Sequence, residues 1–115
     1  MSIPIVIDEG CHTLRDLPVI ASYADGVNIK LAKSGGVREA VRMISAARAL
    51  GLVVMLGCMI ESSAGIAPAA QMATLCDFVD LDGALLLARD PFSGIGFEEG
   101  RLVLSDASGL GISPQ

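Results

Sequence analysis

The chain has few aromatic and few basic residues. Its 115 residues contain no Trp, one Tyr and three Phe, and 8 Lys and Arg stand against 13 Asp and Glu, for a formal net charge of −5. Neutralising a phosphate backbone requires clustered Lys and Arg, and stacking on bases requires aromatic side chains. The composition therefore argues against a protein that binds nucleic acid.

Closely spaced cysteines and long hydrophobic runs are also missing. Cys11, Cys58 and Cys76 are far apart and form no CxxC pair, so neither a disulfide framework nor a structural zinc site is indicated. The longest apolar stretch is about ten residues, half of the roughly 20 that a membrane helix needs. The chain enters a strand pattern directly after Met1-Ser2, without a basic or hydrophobic leader. We expect no membrane segment and a cytoplasmic protein.

What the sequence does contain is a repeated pattern of apolar runs that end in polar clusters. The runs predict strands, and their centres recur at roughly 25-residue intervals, the length of one βα unit. The predicted strands are residues 3–8, 26–31, 52–57 and 78–82; the predicted helices are 14–23, 36–50 and 63–76; and a hairpin is predicted at 94–104 about Glu99-Gly100. We predict one α/β domain of parallel βα repeats over residues 1–115.

Alternation along these strands places polar side chains together. Side chains point alternately to the two faces of a strand, so Asn28 and Lys30 oppose Val27 and Ile29 in the second run. Asp80 and Asp82 alternate in the same way with Val79 and Leu81, and Asp8 ends the first run. Chemistry in α/β folds lies at the carboxyl ends of the strands. We therefore expect a functional site there.

Each of these residues has a functional and a structural interpretation. A carboxylate such as Asp8 suits Mg²⁺, although an Asp at a strand end also often caps a turn. Lys30, if desolvated and shifted toward neutral, is a proton carrier or a Schiff-base nucleophile; otherwise its head reaches solvent. Lys33 is predicted to be solvated. Asp80 and Asp82 repel each other unless they bind a metal ion, an ammonium group or hydrogen-bond donors.

Four segments together resemble a known family. They are Pro4–Glu9, Asp25–Gly36, Gly57–Ser62 and Asp80–Asp82, and in order and spacing they are similar to the later barrel strands of the enolase superfamily. The strongest likeness is to dipeptide epimerases of its muconate-lactonizing subgroup, and it covers nearly the whole chain. The resemblance implies that the repeats form half of a (β/α)8 TIM-type barrel.

The resemblance also implies roles for individual residues. Asp8 corresponds to one of three acidic ligands of Mg²⁺, and Lys30 corresponds to one of two lysines that exchange the α-proton of a dipeptide or other carboxylate substrate. Asp80 and Asp82 correspond to the pair that holds the substrate ammonium, and Asn28, two residues before Lys30, is a further candidate for substrate binding. These assignments imply a Mg²⁺-dependent epimerase or racemase that works through an enolate.

Other parts of the family pattern have no counterpart here. The capping domain, the strand with the other lysine and two of the metal ligands are absent, so we expect this polypeptide to be inactive alone. A half-barrel would expose strand edges and an apolar interior, which favours a homo-oligomer or a complementing half-barrel chain. Two alternatives remain, namely a Schiff-base lyase that uses Lys30 and a non-catalytic interaction module.

Overall fold

A four-stranded parallel sheet is the centre of the fold. The computed structural model describes residues 3–115, and the order of its main sheet is β1-β2-β3-β4. These strands are β1 (Val6–Ile7), β2 (Gly26–Lys30), β3 (Val53–Gly57) and β4 (Phe78–Val79). Each strand pairs in parallel with the next, so their carboxyl ends lie at one edge of the sheet. This arrangement confirms the predicted α/β class.

Helices connect the strands. They are α1 (Leu17–Ile20, after a 3-10 turn at Leu14–Asp16), α2 (Leu31–Ser34), α3 (Val37–Ala49) and α4 (Ser63–Ala70, before a 3-10 turn at Ala73–Leu75). The longest helix, α3, begins after Gly36 and ends two residues before Gly51. The φ angles of these two glycines are +114° and +76°, which other residues rarely adopt. Within residues 3–115, no helix is both long and apolar enough to span a membrane.

The core lies between one face of the sheet and the helices. Val27, Ile29, Val54 and Leu56 alternate along the two central strands and have no solvent exposure. Ala40, Met43, Ile44 and Ala47 form the buried stripe of α3 that packs in the same cluster. Because every second side chain of β2 and β3 points into this core, the side chains of Asn28 and Lys30 point to the opposite face of the sheet.

The outer strands are shorter than the sequence pattern suggests. The pattern predicts strands over residues 3–8 and 78–82, whereas the paired residues are Val6–Ile7 and Phe78–Val79. Each of these strands has one neighbour within the described residues, so fewer ladder hydrogen bonds extend it. Pro4 also has no backbone N–H to donate. The central strands Gly26–Lys30 and Val53–Gly57 differ from prediction by one residue each.

Two predicted helices are also shorter or interrupted. The segment 14–23 contains the 3-10 turn and then the four-residue α1, because Pro18 is accommodated only in the first turn of a helix. The segment 63–76 is helical to Ala70 and passes through a 3-10 turn before β4. The helical turn α2, directly after β2, was not predicted.

Two small antiparallel pairs complete the chain. The predicted hairpin is formed by β6 (Ile95–Glu98) and β7 (Arg101–Leu104), and Glu99 and Gly100 have the positive φ angles of a tight hairpin turn. In addition, β5 (Phe92–Ser93) pairs with β8 (Ser113–Pro114), which the sequence did not predict.

Candidate active site

Four of the five predicted site residues surround one pocket. Asp8, Asn28, Lys30 and Asp80 line a cavity of about 280 Å³ at the carboxyl edge of the sheet. Asp8 follows β1, Lys30 ends β2 opposite Gly57 of β3, and Asp80 follows β4. Side chains from all four strands thus contribute to the pocket or border it, as expected for the carboxyl ends of parallel strands.

An ion pair between Lys30 and Asp8 dominates the pocket. Lys30 Nζ donates a hydrogen bond to Asp8 Oδ2 at 2.8 Å and lies 3.7 Å from Glu9 Oε1. The Lys30 side chain is 10% exposed, whereas that of Asp8 is 40% exposed. A buried ammonium group is tolerated only when charged or polar partners replace its water, and Asp8 is that partner.

Lys33 binds the same carboxylate from the other side. Its Nζ donates to the Asp8 backbone oxygen at 2.6 Å and to Asp8 Oδ1 at 2.7 Å, and its side chain is 6% exposed. The prediction that Lys33 is solvated is therefore wrong. The helical turn α2 is the reason, because it bends the chain back immediately after Lys30 and directs Lys33 toward the end of β1.

The ion pairs set the protonation states in the pocket. The hydrogen bond to Asp8 raises the pKa of Lys30 above its ordinary 10.5 and outweighs the opposing effect of burial. Burial acts to raise the pKa of Asp8, but hydrogen bonds from Lys30 and Lys33 lower it below its ordinary 3.8. Lys30 is thus held as an ammonium group and is not shifted toward the neutral amine.

These pKa shifts predict how the stabilising effect of the ion pair between Asp8 and Lys30 depends on pH. A lowered carboxyl pKa gives stability that is present above pH 3.8 and is lost as pH falls through the folded-state value. A raised lysine pKa gives stability that is present below pH 10.5 and is lost as pH rises through the folded-state value. We expect the melting temperatures of wild type and Asp8→Asn to differ most between these limits and to converge beyond them. A gap that is independent of pH would contradict the ion-pair assignment.

Asn28 lies flat against a glycine. A methyl group at Gly57 would be 2.5 Å from Asn28 Oδ1 and 2.8 Å from Nδ2, so only glycine leaves room for the amide. Asn28 is 6% exposed, and its Oδ1 has no hydrogen-bond partner among the residues described. Such an orphaned acceptor is costly unless a ligand or water satisfies it.

The Asn28 and Gly57 contact predicts a coupled pair of substitutions. Gly57→Ala should lower the free energy of unfolding by about 1 to 3 kcal/mol, because the new methyl group displaces the Asn28 amide. In an Asn28→Ala background the same substitution should cost much less, since the overlapping atoms are gone. Denaturant unfolding of the four proteins measures the coupling. Equal costs in the two backgrounds would show that the backbone, and not Asn28, resists the methyl group.

The two aspartates after β4 are in different positions. Asp80 lines the pocket, whereas Asp82 precedes a 3-10 turn at Gly83–Leu86 and lines a neighbouring groove together with Asp80. Both are exposed. Because the paired part of β4 ends at Val79, alternation along a strand no longer fixes the relation between their side chains. The sheet brings Asp80, but not Asp82, to the pocket of Lys30.

Comparison with known proteins identifies the family. Residues 1–115 match the family model described as enolase C-terminal domain-like. The chain belongs to this family. It is 44% identical over 110 residues to a hydrophobic dipeptide epimerase of Roseobacter litoralis and 42% identical over 110 residues to an L-Ala-D/L-Glu epimerase of Bacteroides thetaiotaomicron, covering 96% of this chain in each case. The resemblance noted in the sequence is thereby confirmed.

A solved structure shows the same relation in three dimensions. A dipeptide epimerase from Methylococcus capsulatus, in complex with Mg and the dipeptide L-Arg-D-Lys, superimposes with a TM-score of 0.86 at 37% identity over 93% of this chain. The chain spans 32% of that structure, and 32% and 29% of the Roseobacter and Bacteroides enzymes. It matches the C-terminal part of the barrel in this enolase family.

The residues described here do not by themselves fit the Mg²⁺ that the family implies. Mg²⁺ requires near-octahedral oxygen coordination, usually by several carboxylates and waters. Residues 3–115 contain no group of three or more His, Cys, Asp and Glu side chains that could hold a metal ion. Both carboxylate oxygens of Asp8 are bound by ammonium groups. A Mg²⁺ ion at this pocket would need ligands from outside these residues.

Proposed function

We propose that this chain supplies part of the active site of a dipeptide epimerase or racemase, with Lys30 as a proton-transfer residue. The buried, charged Lys30 in a pocket at the carboxyl edge of the sheet carries the proposal. It is supported by relatives that are dipeptide epimerases. Abstraction of the α-proton leaves an enolate, and return of a proton to the opposite face inverts the α-carbon.

Lys30 is proposed to act as the acid in this exchange. Its Nζ is held protonated by Asp8, so it donates a proton to the α-carbon and becomes a neutral amine. One lysine reaches one face of a planar enolate, and a second group is needed on the other face. Lys33 is turned toward Asp8 and does not line the pocket, so it does not provide that group. We therefore propose that these 115 residues alone do not epimerise a dipeptide.

Asp80, Asp82 and Asn28 are proposed to bind the substrate. Asp80 and Asp82 are exposed carboxylates, which are accessible to a ligand ammonium group. The buried Asn28 Oδ1 lacks a donor. Asp8 is proposed as one ligand of Mg²⁺, with the remaining ligands supplied from elsewhere.

The Schiff-base alternative is disfavoured by the charge on Lys30. Only a neutral amine attacks a carbonyl, and the hydrogen bond from Lys30 to Asp8 stabilises the ammonium form. Borohydride reduction in the presence of a keto acid should leave Lys30 unmodified, as checked by mass spectrometry. Trapping of Lys30 under these conditions would favour the lyase.

The edges of the sheet are proposed to pair with further strands. Neither β1 nor β4 has a second neighbour within the described residues, and Ile5, Phe78 and Leu85 are more than half exposed. Beside β4 lies a largely apolar groove of about 850 Å³. A complementing half-barrel or a second copy of the chain would cover these surfaces, and so would a partner of a non-catalytic module. The mass of the particle in solution distinguishes a monomer from a homo-oligomer.

The free thiols support a cytoplasmic location, which we also propose. Cys11, Cys58 and Cys76 are all free, as is usual in a reducing compartment. Burial raises the pKa of Cys11 to about 11, so this thiol is inert.

The proposal is tested with a chimera that restores the rest of the barrel. Residues 3–115 replace the matching segment of the Bacteroides thetaiotaomicron epimerase, and α-proton exchange is followed by NMR in D2O. We expect exchange with L-Ala-L-Glu and much less with its N-acetylated form, which lacks the ammonium group. Asp80→Asn should reduce this preference about tenfold, the value of one charged hydrogen bond. Equal exchange of both compounds would argue against ammonium binding.

A further inference from the structure

The two lysines of the chain converge on one carboxylate. The sequence contains only Lys30 and Lys33, and its other six basic residues are arginines. Lys30 Nζ binds Asp8 Oδ2, and Lys33 Nζ binds Asp8 Oδ1. By contrast, the ion pairs of Arg42 and Arg48 lie on the exposed surface. Both lysines of the chain therefore belong to one buried ion-pair cluster around Asp8.

Lys33 makes a contact with Asp8 that Lys30 does not make. It binds the backbone oxygen of Asp8 as well as the carboxylate, at 2.6 and 2.7 Å. An ammonium group shared between the main chain and the side chain of one residue fixes the side-chain dihedral angles of that residue. Lys33 thereby fixes the orientation of the carboxylate plane that Lys30 meets.

The positions of the groups show that Lys33 acts through Asp8. Asp8 and Lys30 line the pocket, whereas Lys33 is not among its lining residues. The Lys33 side chain is 6% exposed and that of Lys30 is 10% exposed, and Lys33 binds the carboxylate oxygen that Lys30 does not bind. It therefore has no direct contact with a ligand in this pocket.

We infer that Lys33 is a positioning residue, which locks the Asp8 carboxylate so that Oδ2 holds the Lys30 ammonium group in the pocket. Without Lys33, the carboxylate rotates and Lys30 loses its fixed acceptor. The inference rests on the proposed function for the chemical role of Lys30. The arrangement of the three side chains is independent of that role and can be measured separately.

The presence of only two lysines allows a direct test in the whole chain. Labelling lysine with ¹⁵N at Nζ gives one NMR signal for each ammonium group, and hydrogen exchange with water reports how firmly each group is bound. We expect Lys33→Met to raise the exchange rate of the Lys30 ammonium group about tenfold, because a charged hydrogen bond is loosened. Lys33→Arg retains a donor for Asp8 and should restore most of the protection.

The possible outcomes separate positioning from a purely structural role. If Lys33 only stabilises the fold, Lys33→Met lowers the melting temperature and leaves Lys30 exchange at its wild-type rate, which would overturn the inference. If Lys33→Met does not fold, Lys33→Gln is measured in its place: the Lys30 ammonium group should again exchange faster than in the wild type, and exchange at the wild-type rate would overturn the inference. No turnover is measured, so failure of the proposed function leaves this result unaffected.

Discussion

Replacing Lys30 with alanine in the chimera is expected to lower the rate of dipeptide epimerisation by about a hundredfold to ten-thousandfold. The ammonium group that Asp8 holds in the pocket would be lost, and with it the proton donor for one face of the α-carbon. The effect should be unequal for the two epimers. The epimer whose α-proton faces Lys30 should no longer exchange that proton with D2O. The other epimer should still exchange its α-proton, because that proton faces the group on the opposite side.

An exposed arginine provides the control for this substitution. Arg38 lies on α3 outside the pocket, and Arg38→Ala removes a positive charge without touching Asp8. It should leave both exchange rates at the level of the unmodified chimera. An equal loss in Lys30→Ala and Arg38→Ala would show that net charge or folding, and not proton transfer, is affected.

Replacing Leu56 with alanine is expected to cost about 2 to 5 kcal/mol of unfolding free energy. Leu56 is in the central strand β3 and has no solvent exposure, so the substitution leaves a cavity between the sheet and the helices. Domains of ordinary stability have only about 5 to 15 kcal/mol in total. Urea unfolding of the chain should therefore show a large shift of the midpoint to lower concentration.

Leu86 is the matched control for the same chemical change. Leu86 is 65% exposed in the 3-10 turn after β4, so Leu86→Ala should change the unfolding free energy by about 0.5 kcal/mol or less. Similar costs at both positions would mean that the face of β3 assigned to the core is wrong.

The central strands, and the face to which each of their side chains points, could be predicted from the sequence. The alternation of apolar and polar residues along a strand is a local property that the sequence shows directly. Val27 and Ile29 oppose Asn28 and Lys30 in any parallel sheet covered by helices on one side, and the structure has this arrangement. The outer strands were overestimated because their length depends on neighbouring strands and not on their own apolar residues. Because the paired part of β4 ends at Val79, the predicted common face of Asp80 and Asp82 is also not present.

The charge state of the pocket could not be predicted, because it depends on contacts distant in sequence. Asp8 is 22 residues from Lys30 and 25 from Lys33. The first contact requires the pairing of β1 with β2, and the second also requires the turn α2. A prediction of desolvation alone gives a lysine that tends toward neutral, whereas the paired carboxylate reverses the direction. The packing of Asn28 against Gly57 is a contact of the same kind, because it joins two strands that are distant in sequence.

The role of Lys30 is tested most directly by α-proton exchange of L-Ala-L-Glu in D2O by the 115-residue chain and by the chimera, each with and without Lys30→Ala. We predict no epimerisation by the chain alone, exchange by the chimera, and loss of the exchange at one face of the α-carbon when Lys30 is replaced. A folded chimera that does not exchange the proton, or one whose exchange is independent of Lys30, would contradict the assignment of Lys30 as a proton-transfer residue.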